Sequence, residues 1–151
     1  MRRFALCAAL LAASLHTACS FSTDFIVVND SPQPIAVTYR FKFAGLIAKP
    51  AMVASAQVTT SRPKFWQELT TDRYEADRVW RTIKLRLMPA EALRVAVVGN
   101  YSSHEGRFSE GALPIDELTV KGASGEIVLR GEQVRLNFTK QGSQVFTLMY
   151  K

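Results

Sequence analysis

The chain has 151 residues, 48% of them hydrophobic and 21% charged, with a formal net charge of +6. That length holds one ordinary domain, and the composition is globular rather than disordered. The positive excess is small and evenly spread, which argues against nucleic acid as a partner and favours anionic surfaces such as phospholipid or lipopolysaccharide headgroups.

The N-terminus opens with Arg2 and Arg3, followed by the apolar run Phe4–Leu15. About a dozen residues are too few to span about 30 Å of hydrocarbon as a helix, but they match the apolar region of a signal peptide. Leu15-His16-Thr17-Ala18-Cys19 comes next, with two small residues directly before a cysteine. This stretch resembles the lipobox of bacterial lipoproteins, with His16 standing where that family usually has leucine or another aliphatic residue. The resemblance implies that diacylglycerol is attached to the Cys19 sulfur and that signal peptidase II cuts before Cys19. It divides the chain into a signal peptide (1–18), a lipidated cysteine with a short tether (19–24) and one folded domain (25–151). It also implies a membrane anchor in the cell envelope. Ser20 after the cysteine, rather than aspartate, favours the outer membrane with the domain facing the periplasm. Loss of Arg2 and Arg3 leaves 17 basic against 13 acidic residues, a net charge of +4. Cys7 departs with the leader, so the mature domain retains only Cys19 and has no disulfide.

Beyond the leader the dominant signal is alternation. Phe25–Val28 is a short apolar run, and Asn29–Pro34 is turn chemistry. Val37, Tyr39, Phe41 and Phe43 then alternate with polar residues, as do Ile83, Leu85 and Leu87. The same pattern places Leu93, Val95 and Val97 on one face of a strand, and Val134, Leu136 and Phe138 on one face of another. Period two with one polar face predicts half-buried antiparallel strands. Pro89-Ala90-Glu91 is expected to close a hairpin between the strands at 83–88 and 92–98, and Gly122–Gly125 another between 118–121 and 126–130. About nine short strands at this spacing predict an all-β antiparallel sandwich, immunoglobulin- or fibronectin-like. Three long connections interrupt the pattern: 44–50, 60–78 and 100–114. Loops of that length inside a compact domain are functional or mobile.

No catalytic set emerges. His104 is the only histidine of the mature chain, and with no second histidine or free cysteine an ordinary zinc site cannot be completed. Gly122-Ala123-Ser124-Gly125 has the wrong spacing for a nucleophile elbow. No metal or cofactor is expected, and the chain reads as non-enzymatic. The candidate binding residues are the outward cations Arg40, Lys42, Lys84, Arg86 and Arg94, on strands expected to share one sheet, the aromatics Phe65, Trp66 and Tyr74, and His104. Docking to the membrane itself, another envelope protein or an anionic envelope polymer fits such a surface. A class-different alternative is a small hydrophobic-ligand carrier, with the strands closed into a lipocalin-like barrel.

Overall fold

The computed structural model describes residues 22–43, 45, 47, 49–99 and 113–151. Eleven strands run through them: β1 (Ser22–Asn29), β2 (Ile35–Phe41), β3 (Ala51–Ala54), β4 (Gln67–Glu68), β5 (Tyr74–Asp77), β6 (Thr82–Leu87), β7 (Glu91–Gly99), β8 (Ile115–Gly122), β9 (Gly125–Arg130), β10 (Thr139–Lys140) and β11 (Val145–Tyr150). One short helix, α1 (Glu132–Leu136), follows β9. The strands form two sheets, ordered β10-β11-β1-β7-β3-β4 and β5-β6-β2-β8-β9, and neither closes into a barrel. The lipocalin-like alternative therefore falls.

Alternation places the core. Ile35, Val37, Tyr39 and Phe41 of β2 point inward, as do Ile83, Leu85 and Leu87 of β6 and Leu118 and Val120 of β8. They meet Phe25, Val27, Leu93, Phe146, Leu148 and Tyr150 from the six-stranded sheet. Phe25 stacks on Phe146 at 5.2 Å and meets Phe138 edge-on at 5.3 Å.

Strand β1 is buried on both faces, because a second, smaller cluster of Ile26, Val28, Val53, Ala92 and Val145 lies on the outer side of its sheet. Continuous rather than alternating hydrophobicity is what a doubly covered central strand requires. It begins at Ser22 rather than near Phe25, since Thr23 and Asp24, though polar, are fully buried in it. Its C-terminal partner β11 runs parallel to it, Asp24 opposite Val145 through Asn29 opposite Tyr150.

Three expectations are corrected. Strands β6 and β7 do not form a hairpin, because they belong to opposite sheets and residues 88–90 arch between them. Asn29, buried where β1 likewise crosses to β2, ties the two crossings together. Its Nδ2 donates to the carbonyls of Gln33 (2.8 Å) and Leu87 (3.0 Å), and its own carbonyl accepts from the Ala90 amide (3.1 Å). Val97 faces outward, not inward with Leu93 and Val95. Phe25 pairs with Ala96 and Ile26 with Arg94, so Val95 is an extra residue in β7. Such a bulge shifts the inward set to Ala96 and Val98. Residues 132–136 are helix, not strand. Val134 and Phe138 are buried and Leu136 is 57% exposed. Positions four apart share a face in both a strand and a helix, whereas only a strand would bury the residue midway.

Candidate functional site

The long connection after β3 has a fixed place. A 3₁₀ turn (Ser55–Gln57) leads into Val58 and on to Trp66, and both Val58 and Trp66 pack on the outer cluster of the six-stranded sheet. The segment is a strap over that face. Arg62 fastens it: Nε and Nη2 reach the two carboxylate oxygens of Asp24 at 2.8 and 3.0 Å, and Nη1 donates to the Ser22 hydroxyl. The Asp24 side chain is fully buried, and that of Arg62 is 31% exposed. The strap also presses on the β10–β11 turn, where a Cβ on Gly142 would lie 1.7 Å from the Thr60 carbonyl oxygen. Its far end rejoins the sheet as β4, the short edge strand beside β3.

The candidate residues separate. Arg40, Lys84 and Arg86 lie on the outer face of the five-stranded sheet, but Arg94 belongs to the other sheet. The expectation that these cations share one sheet is thus corrected for Arg94, whose guanidinium sits 4.6 Å from the Trp66 ring centroid. The connection between β6 and β7 is the cause: once it arches between sheets, β7 leaves the sheet of β2 and β6. The outer face of the five-stranded sheet carries both charges. Arg40 contacts Asp116 (3.0 Å) and Glu117 (3.2 Å), and Glu117 also reaches Arg130 (3.6 Å). The hydrogen bond and charge of Asp116 hold the Arg40 guanidinium above its ordinary pKa. Glu75 stands opposite Lys84 across β5 and β6.

Tyr74 sits on edge strand β5 and packs half-buried on the main core, while Phe65 is 84% exposed. The aromatic trio therefore forms no common surface. Tyr74, Lys84 and Arg86 do share an open groove of about 700 Å³, lined further by Asp72, Arg73 and Glu75. Its mixture of charges selects no ligand sign. A smaller hollow of about 200 Å³, between Tyr39 and Phe41 on one sheet and Arg94–Val97 on the other, is below the usual size of a ligand site. His104 and Cys19 lie outside the described residues. Among the described residues no cluster of histidine, cysteine or carboxylates is placed to hold a metal ion, and no helix is long and apolar enough to cross a membrane.

A surface that the sequence reading passed over stands at one end of the sandwich. The β5–β6 connection is Arg78-Val79-Trp80-Arg81, with Val79 83% and Trp80 69% exposed. Asp77 shapes it, its Oδ1 accepting the amides of Val79 (2.8 Å) and Trp80 (2.9 Å). Arg81 closes the turn at φ +58°, a left-handed backbone that costs a non-glycine residue about 1 kcal/mol or more. The end of β2 lies alongside: the Phe41 amide donates to the Arg81 carbonyl (2.9 Å), and the Arg81 guanidinium donates to the Lys42 carbonyl. Phe43, 67% exposed, follows. The legible signal was two large apolar residues at the tip of a turn, where polar residues are the rule.

The described residues define a two-sheet antiparallel-rich β-sandwich with a strapped outer face. Comparison with protein-family profiles, with characterised proteins and with solved structures found no match to this chain.

Proposed function

We propose that the protein is a lipid-anchored component of the bacterial cell envelope, acting as a non-enzymatic binding or structural module. The lipobox resemblance at Leu15–Cys19 supplies the anchor, and Ser20 favours the outer membrane, facing the periplasm. One observation carries the reading further: β1, a central strand, starts at Ser22, only three residues after Cys19. A domain whose first residues are central to its sheet can follow directly on a lipidated cysteine without a linker. The partner in this reading is another envelope protein or an anionic envelope polymer, held at the membrane by the anchor.

The finer fold reading is immunoglobulin-like. In this reading β1-β7-β3 facing β2-β8-β9 corresponds to the B-E-D and C-F-G strands of that fold. The correspondence departs in β11, which takes the place of strand A but runs parallel to its neighbour.

Cys19→Ala tests the anchor. The variant is expected to lose fatty-acid labelling and the accumulation of precursor under globomycin. Labelling that persists in the variant would refute it. Affinity capture with the solubilised, tagged protein tests the binding module. A reproducible envelope protein or polymer supports it, and repeated empty captures oppose it.

A further inference from the structure

We infer that the end of the sandwich carrying Phe43, Val79 and Trp80 docks on an anionic phospholipid bilayer, the surface to which the chain is anchored. The inference rests on the lipid-anchor reading above. The topology decides which end faces the bilayer. Asn29 at the close of β1, Ile35 at the start of β2 and Leu87 at the close of β6 meet at one end. Ser22 is therefore at the opposite end, paired with Gly99. Phe41 and the β5–β6 turn are at that end too, since β2 crosses the other sheet away from Ile35 and its Arg40 pairs with Thr82. The hollow between Phe41 and Val97 confirms that these strand ends face each other, because Val97 lies opposite Asp24 of β1. Three residues span at most about 10 Å, so a lipid on Cys19 holds this end, and not the other, against the headgroups.

The chemistry of the end fits that position. Single exposed apolar side chains are ordinary. Here Val79 and Trp80 crown one hydrogen-bonded turn, and Phe43 leaves the strand on which that turn rests. Lys42, Arg78 and Arg81 adjoin them in the chain, and none of the three makes an ion pair among the described residues. Tryptophan favours the membrane interface, where the indole body is apolar and the N–H remains wet. Each flanking cation strengthens attraction to an anionic surface about fivefold. The nearest carboxylate in the sequence, Asp77, is turned to the backbone of its own loop.

The chain has two tryptophans, Trp66 and Trp80. The full chain, purified from membranes, is reconstituted in phosphatidylcholine–phosphatidylglycerol vesicles containing brominated phosphatidylcholine. Bromine in the acyl chains is expected to quench part of the emission, and Trp80→Phe to abolish that quenching. Trp66→Phe is expected to leave it intact, and Arg78→Glu or omission of phosphatidylglycerol to weaken it. Emission unaffected by bromine in vesicle-bound protein overturns the inference. So does Trp80 shielded in the absence of lipid, which would mean that a second copy covers this end. The mass of the N-terminal peptide reports lipid on Cys19 separately. Lipid without quenching removes the docking surface alone, whereas quenching without lipid removes the anchor and keeps the surface.

Discussion

Arg62→Ala is the perturbation that tests the strap. Asp24 is fully buried on the outer face of β1, with Val97 across the antiparallel pair and Val145 across the parallel one. Its two oxygens are held by one guanidinium. Removing one partner of a buried ion pair typically costs about 3–5 kcal/mol, because the remaining charge is left without compensation. Arg62 is 31% exposed, so truncation admits water to Asp24, and the expected loss is about 2–4 kcal/mol. That is a large share of the roughly 5–15 kcal/mol that holds a domain of this size. Urea unfolding of the purified chain measures it. In a Trp80→Phe background, emission from Trp66 reports whether the strap has lifted. Arg62→Lys keeps the charge but not the two-pronged geometry and should fall between. Asp24→Val with Arg62→Leu should lie within about 1 kcal/mol of the parent, because the pair is replaced by apolar groups on an apolar face. A loss below about 0.5 kcal/mol for Arg62→Ala, with Trp66 emission unchanged, would refute the strap as a fastened element.

Gly142→Ala places a methyl group on the Thr60 carbonyl and forces backbone to move, so about 1–3 kcal/mol should be lost. Combined with Arg62→Ala the losses should be less than additive, because both release the same segment; a double-mutant cycle in urea decides. Asn29→Ala takes the Asn29 partner from the Leu87 carbonyl and the Ser31 amide, while the Gln33 carbonyl keeps the Ser31 hydroxyl, and should cost about 1–3 kcal/mol per group stranded, read by the same unfolding curves. Burial, with Tyr74 adding to it, raises the Tyr39 hydroxyl above its ordinary pKa of 10.0. A folded pKa above the unfolded one leaves that contribution whole below pH 10 and erodes it as pH climbs beyond. Tyr39→Phe should therefore lose less stability than the parent between neutral and strongly alkaline pH, and parallel losses would refute the assignment.

The sequence is most informative where structure is local. Alternation over Ile35–Phe41 and Thr82–Leu87 matches β2 and β6, and Gly122–Gly125 forms the expected tight turn between β8 and β9. What alternation cannot carry is which sheet a strand joins. Residues 88–90 have the length of a hairpin loop, yet they form an arch, and that choice sends Arg94 away from Lys84 and Arg86. A bulge is equally silent: Val95 and Val97 are the same residue type two apart, and only the skipped pairing at Phe25 and Ile26 sets them on opposite faces. The strap was legible only as length. Val58 and Trp66 have no periodic partners, and Arg62 and Asp24 are 38 residues apart.

The strap bears on the proposed anchor as well as on stability. First and last residues usually fray unless something ties them down. Here, at the start of the described chain, Ser22 is bound to β7 and to Arg62, and Asp24 is bound on three sides, to β7, to β11 and to Arg62 from above. With lipid on Cys19, the three steps from Cys19 to Ser22 reach at most about 10 Å, and β1 offers no slack from Ser22 onward. A tether of that length cannot let the domain turn over, so the end bearing Lys42, Phe43 and Arg78–Arg81 is the one the membrane would meet. The turn at Arg78–Arg81 is itself braced, by Asp77 beneath it and by the Arg81 contact to Lys42. A preformed surface loses little conformational entropy on docking, so the apolar and cationic groups of this end act with most of their attraction intact.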